Sequence, residues 1–166
     1  MTIKFWEHFF IQALFSYGST IGFAICINVP RRALNVAGLA GMASWLTYVG
    51  AVMIHVGRVM GSLLGAFIVG VCGIVFARIK HMPVIVFNIP AMVPLVPGAT
   101  AYQAIRCLAL GQLNKAMKLT VLVGMIAGAM AVGFMIAQVV SELSKWLWQR
   151  DLEWRRRHEH EKSKSA

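Results

Sequence analysis

Four of the chain's five prolines, Pro83, Pro90, Pro94 and Pro97, fall within 15 residues, and Gly98 follows the last of them at once. Each internal proline removes a backbone donor and clashes with the carbonyl four residues earlier, so no unbroken helix is expected through this stretch. Asn88, Thr100 and Tyr102 flank it. The chemistry open to such a set is noncovalent. Interrupted helix ends, with nearby amides and hydroxyls, can hydrogen-bond a small polar solute. The structural alternative is capping and helix-to-helix hydrogen bonding, each contact contributing about 0.6 to 2 kcal/mol. Asn88, Pro90, Pro94, Pro97, Gly98, Thr100 and Tyr102 are therefore the candidate solute path.

Two cations stand near apolar runs without an acid beside them. Arg58, with His55, lies between two such runs, and Arg106 ends the proline-containing one. Both can snorkel to an interface, which is the structural reading. As functional residues they would favour an anionic group such as a carboxylate. Gly57, Gly61 and Gly65 recur every fourth residue, and Gly18/Gly22 and Gly124/Gly128 repeat the spacing. Stripes of this kind let helix backbones approach closely, within the chain, with a partner, or between copies in a homo-oligomer.

Enzyme templates find no footing. The six acids are Glu7, Glu142, Asp151, Glu153, Glu159 and Glu161, so residues 8–141 hold no carboxylate for a Ser/His/Asp set, an acid/base pair or a metal site. Cys26, Cys72 and Cys107 stand singly, with no CxxC pair, and read as small apolar fillers. No enzyme activity, cofactor or metal is expected.

What must position the candidate residues is a set of membrane helices. The chain has 166 residues, 58% of them hydrophobic and 13% charged, and its mean hydropathy is +0.69. A span needs about 20 mostly apolar residues. The stretches 9–29, 33–54, 59–77 and 119–140 meet or nearly meet that length, and 84–105 is the proline-broken fifth. The expected fold is an all-α integral membrane protein of about five helices: residues 1–140 form the membrane domain and 141–166 a charged cytoplasmic helical tail. Trp146, Trp148 and Trp154 alternate with charges there, as in an aromatic belt. No cleavable signal is expected, because Lys4 alone precedes the first apolar run and no small-residue cleavage site follows.

The net charge is +10, with a pI near 10.2. The bases sit singly or in pairs between apolar runs, which reads as loop charge and not as a nucleic-acid surface. Five crossings with the C-terminus inside place eleven bases inside, Arg31, Arg32, Arg78, Lys80 and seven in the tail, against five outside. A re-entrant proline segment with four crossings divides them nine to seven. The positive-inside rule favours five crossings, N-terminus out and C-terminus in.

The stretches Asn28-Val29-Pro30-Arg31-Arg32-Ala33-Leu34 and Pro94-Leu95-Val96-Pro97-Gly98-Ala99-Thr100-Ala101-Tyr102 resemble two signatures of the threonine/serine exporter family. The resemblance covers most of residues 10–140 and corresponds to the second, shorter half of that family's full-length members. It implies the small subunit of a split exporter in the bacterial inner membrane, acting with a larger membrane subunit on a small carboxylate-bearing solute. Threonine or serine is the leading solute, and succinate or another dicarboxylate the alternative. A non-transporting scaffold and an anion channel lined by Arg58 and Arg106 are the readings from other classes. With no carboxylate in residues 8–141, any proton-coupling acid is expected on the partner.

Overall fold

The structure, a computed structural model, describes the backbone of residues 2–164 and the side-chain surroundings of residues 9–143. Six helices follow in order: α1 (Thr2–Cys26), α2 (Arg31–Met53), α3 (Arg58–Lys80), α4 (Ile85–Ala91), α5 (Gly98–Ala109) and α6 (Leu113–Lys164), with a 3-10 turn at Val93–Leu95 between α4 and α5. No strand occurs among the described residues. Four helices are long and apolar enough to cross a membrane, and α4 with α5 forms a fifth such unit bent by 52°. This is the expected all-α membrane architecture. The side chains of Lys4, Trp146, Trp148, Trp154, His158 and His160 lie outside the described residues.

Small residues hold the helices together. α2 buries Ala33, Ala37, Gly38, Ala40, Gly41 and Ser44, and α3 buries Gly61, Ser62, Gly65, Ala66, Gly70, Gly73 and Ala77. In lipid the hydrophobic effect gives helices little reason to associate, so close van der Waals approach carries the interface, and small side chains permit it. A methyl group on Gly41 would collide with Thr20 of α1, one on Gly61 would lie 3.1 Å from the Tyr48 ring, and one on Gly65 would lie 2.8 Å from Leu95. Trp45 Nε1 donates to Gln12 Oε1 at 3.2 Å, tying α2 to α1. Large apolar side chains point outward instead, Phe10, Leu14 and Phe15 on α1 and Met117, Val121 and Met125 on α6 among them.

The register of these contacts fixes direction. Gly61 and Gly65 of α3 meet Tyr48 and Ser44 of α2, so those helices run antiparallel. Gly133 meets Leu63, Ala66 and Phe67, and Gly70 meets Phe134 and Ala137, so α3 and α6 run parallel. The chain must therefore return between them. Asn88 lies against Gly73 and Leu95 against Gly65, so α4 travels back along α3, and α5 finishes the return beside the start of α6. The proline segment thus runs back antiparallel to α3 and bends by 52° on the way, with its break beside the middle third of α3. Single cysteines at Lys80 and Gln112 should accordingly be labelled from opposite faces of the membrane; labelling from the same face would restore the four-crossing course.

Several boundaries differ from expectation. Arg31 and Arg32 open α2 instead of ending a loop, because Pro30 supplies the extended entry before a helix and contributes no donor to waste. α6 begins at Leu113, so Asn114, Lys115 and Lys118 are helical, and the turn before the expected run 119–140 does not include them. That turn contracts to Leu110–Gln112, closed by Gly111 at φ 72. Gly57 is not part of the α3 glycine stripe: it precedes the helix at φ 95, a backbone setting that favours glycine. Within α3 the stripe continues the other way, through Val69, Gly73 and Ala77. α6 passes residue 140 without interruption.

Candidate functional site

The break between α4 and α5 comes later than the first internal proline. Pro90 lies inside α4, fully buried, and the helix ends only at Ala91, where Pro94 and Pro97 withhold two successive donors. Helical pairing would have sent those donors to the carbonyls of Pro90 and Val93. The structure refills one of these places: Val96 N–H reaches the Val93 carbonyl at 3.3 Å, whereas Met92 N–H keeps its helical bond to the Asn88 carbonyl at 3.1 Å. The Ala91 carbonyl lies 3.4 Å from Ser44 Oγ of α2, a fully buried hydroxyl whose one proton goes to the Gly41 carbonyl at 2.7 Å. In this conformation the Val93 carbonyl keeps a partner within the protein, as polar backbone at membrane depth requires.

The expected cluster of Asn88, Thr100 and Tyr102 does not assemble. Asn88 lies on α4 before the bend, whereas Thr100 and Tyr102 lie on α5 beyond it. Tyr102 is 67% exposed, so it faces outward from the bundle. Pro97 caps α5 and Gly98 is its first residue. Pro94 lines a shallow groove of about 360 Å³ with Gln12, Ser16 and Trp45. Arg58 and Arg106 are exposed, at the first turn of α3 and the last of α5. Gly124 and Gly128 have no other part of the chain within 4 Å of where a methyl group would stand, so that stripe lies open.

The polar groups that do converge are elsewhere. A cleft of about 460 Å³ opens where the C-terminal ends of α3 and the membrane part of α6 meet the start of α4. Its polar lining is Arg78, Asn88, Gln138, Ser141 and Glu142, and Gly70, Ala77, Val84, Phe134 and Ala137 supply apolar walls. Concave sites with mostly apolar walls and a few convergent polar groups are where small solutes bind. The Oδ1 of Asn88 is buried, pressed toward Gly73 and without a hydrogen-bond donor. Such an unpartnered acceptor costs about 1–3 kcal/mol. One further turn along α4 from Asn88 stands Met92, the residue at the break. The cleft and the bend therefore share one short helix.

Of the sequence candidates, only Asn88 lines this cleft. Arg78 and Glu142 entered the sequence reading as loop and tail charges, and Gln138 and Ser141 not at all. Their convergence depends on the parallel packing of α3 and α6 through Gly70 and Gly133. No group of His, Cys, Asp or Glu residues able to hold a metal occurs among the described residues.

Comparison with known proteins adds the following. The sequence model of the threonine/serine exporter family, ThrE, matches residues 12–140. No solved structure matches the chain.

Proposed function

The chain belongs to the threonine/serine exporter family, and from that premise we propose that it is a non-catalytic membrane subunit of a secondary exporter. It moves a small carboxylate-bearing metabolite, threonine or serine first among them, together with a larger partner subunit in the bacterial inner membrane. The observation that carries this reading is the polar cleft at the α3–α4–α6 junction, set at one end of a span that bends in its middle. A scaffold has no use for either feature. A transporter uses both: a site that accepts solute from one side, and a span whose two halves can move separately.

The positive-inside count puts the cleft on the cytoplasmic face, where an exporter loads, because Arg78 and Lys80 sit at that end of α3. The solute path then runs from Asn88 along α4 to Pro94, Pro97 and Gly98, with Pro90 and Thr100 bordering it. Arg58, Arg106 and Tyr102 lie toward the opposite face. The uncovered Gly124/Gly128 stripe of α6 is a surface on which a partner helix can pack.

Partner dependence tests the reading. Proteoliposomes holding this chain alone should release no threonine, serine or succinate above the protein-free rate, and adding the partner subunit should restore release. Robust efflux by the chain alone would overturn the two-subunit proposal; the absence of efflux with both subunits present would overturn export itself.

A further inference from the structure

We propose that Arg31, Arg32 and Lys80 form a headgroup site for an anionic phospholipid where the start of α2 meets the end of α3. The inference goes beyond the export reading and does not depend on it.

α2 begins at Arg31 and α3 ends at Lys80, and because the two helices are antiparallel these termini lie at one face of the membrane. Val36 of α2 and Phe76 of α3 pack against the same buried cluster, Ala33, Ala37, Ala77 and Phe87. Arg32 stands one turn before Val36 and Lys80 one turn beyond Phe76, so helical register brings both cations to the end of one packed seam. Arg31 adjoins them. Arg78, roughly 200° round α3 from Lys80, lines the α6 cleft instead. The patch and the cleft are therefore separate.

All three side chains of the patch are exposed. Residues 8–141 hold no carboxylate, so α2, α3 and α4 offer the patch no counter-charge. A phosphodiester supplies one: the planar guanidinium of Arg32 suits two phosphate oxygens at once, and the ammonium of Lys80 adds a point charge. The setting makes the ligand a lipid and not free phosphate. Arg31–Met53 and Arg58–Lys80 are both apolar helices of spanning length, so the cations stand at the level where hydrocarbon gives way to headgroups. Ile79, beside Lys80, is 64% exposed, and Ile27, just ahead of the turn into α2, is 43% exposed. Apolar side chains at that level give acyl chains a wall to lie against, which a free anion does not need. Basic groups gathered at one end of a pair of membrane helices suit anionic headgroups for this reason.

The test uses the purified full-length chain in dodecyl maltoside micelles holding phosphatidylglycerol and phosphatidylcholine in equal amounts, with the lipids retained on the protein counted by native mass spectrometry. Phosphatidylglycerol should exceed phosphatidylcholine at least about fivefold. Arg32→Gln with Lys80→Gln should bring the ratio close to one, whereas Arg32→Lys with Lys80→Arg, which keeps both charges, should hold most of it. Lys80→Gln alone should lower the ratio at least about twofold, which keeps the test open if the double variant folds poorly. Lys115→Gln with Lys118→Gln removes the same charge at the opposite membrane face and should leave the ratio within about twofold of the unmodified value. No preference in the unmodified chain, or an unchanged ratio in both glutamine variants of the patch, would overturn the site. An equal fall in the Lys115/Lys118 variant would reduce it to general charge attraction, and displacement of the lipid by millimolar inorganic phosphate would make it a phosphate site; either result would overturn the lipid assignment.

Discussion

Replacing Pro97 with alanine and Gly98 with leucine should lower export per assembled complex at least about tenfold, the effect of a barrier raised by about 1.4 kcal/mol, while the amount of folded complex stays near that of the unmodified protein. Alanine at 97 restores a donor for the Val93 carbonyl, which now takes a 3.3 Å bond from Val96 instead. Leucine at 98 is about 1 kcal/mol better than glycine inside a helix. Nothing stands within 4 Å of where its Cβ would be, so the side chain enters open space. Both changes favour extending α5 backward through the break and straightening the 52° bend. Because neither creates a clash, a fall in efflux would report on the bend itself. Efflux at the unmodified rate, normalised to membrane abundance, would show that the bend is structural and would remove Pro97 and Gly98 from the solute path.

The opposite pattern is expected at Gly133. A methyl group there would stand 3.0 Å from the Ala66 side chain and 3.1 Å from the Phe67 backbone nitrogen, and closer still to the Leu63 carbonyl oxygen. Two of these three obstacles are backbone, which cannot rotate aside, so Gly133→Leu must push α6 off α3. Overpacking of a close interface costs about 1–3 kcal/mol and often more, and the same shift would open the cleft that α3 and α6 build. The variant should yield little folded protein in thermal unfolding or size-exclusion measurements. Gly124→Leu with Gly128→Leu should leave the isolated chain's Tm within a few degrees of the unmodified value, since no part of the chain faces either residue. A Gly133→Leu protein that melts at the unmodified temperature would refute the packing described for α3 and α6.

Much of the scaffold was legible in sequence because bilayer length and proline chemistry are local rules. Four apolar runs became four long helices, and the cluster around Pro94 and Pro97 became the bend. The misplaced boundaries have physical causes. Lys115 and Lys118 resemble loop residues by charge, but they are good helix formers, and no breaker stands between Leu113 and the apolar run. Gly57 keeps the four-residue spacing of Gly61 and Gly65 yet lies before the helix starts, which spacing alone does not reveal. The cleft was illegible for a different reason. Arg78 and Glu142 lie 64 positions apart and line one cleft only because α3 and α6 are parallel neighbours. That relation is set by which glycines find partners. Gly133, the residue that fixes it, lies outside the paired Gly124/Gly128 pattern that drew attention to α6.

The uninterrupted course of α6 has a mechanical consequence. At about 1.5 Å per residue, its 52 residues form a rod of about 78 Å, against a hydrocarbon core of about 30 Å. Glu142 sits where the rod passes the end of α3, and the backbone stays helical to Lys164 with no proline or glycine after Gly133 to act as a joint. A tilt of a few degrees in the wall of the cleft is therefore magnified at the far tip, about 33 Å beyond Glu142 at the same rise. The same lever works in reverse: whatever grips the charged tip applies torque to the wall that carries Glu142.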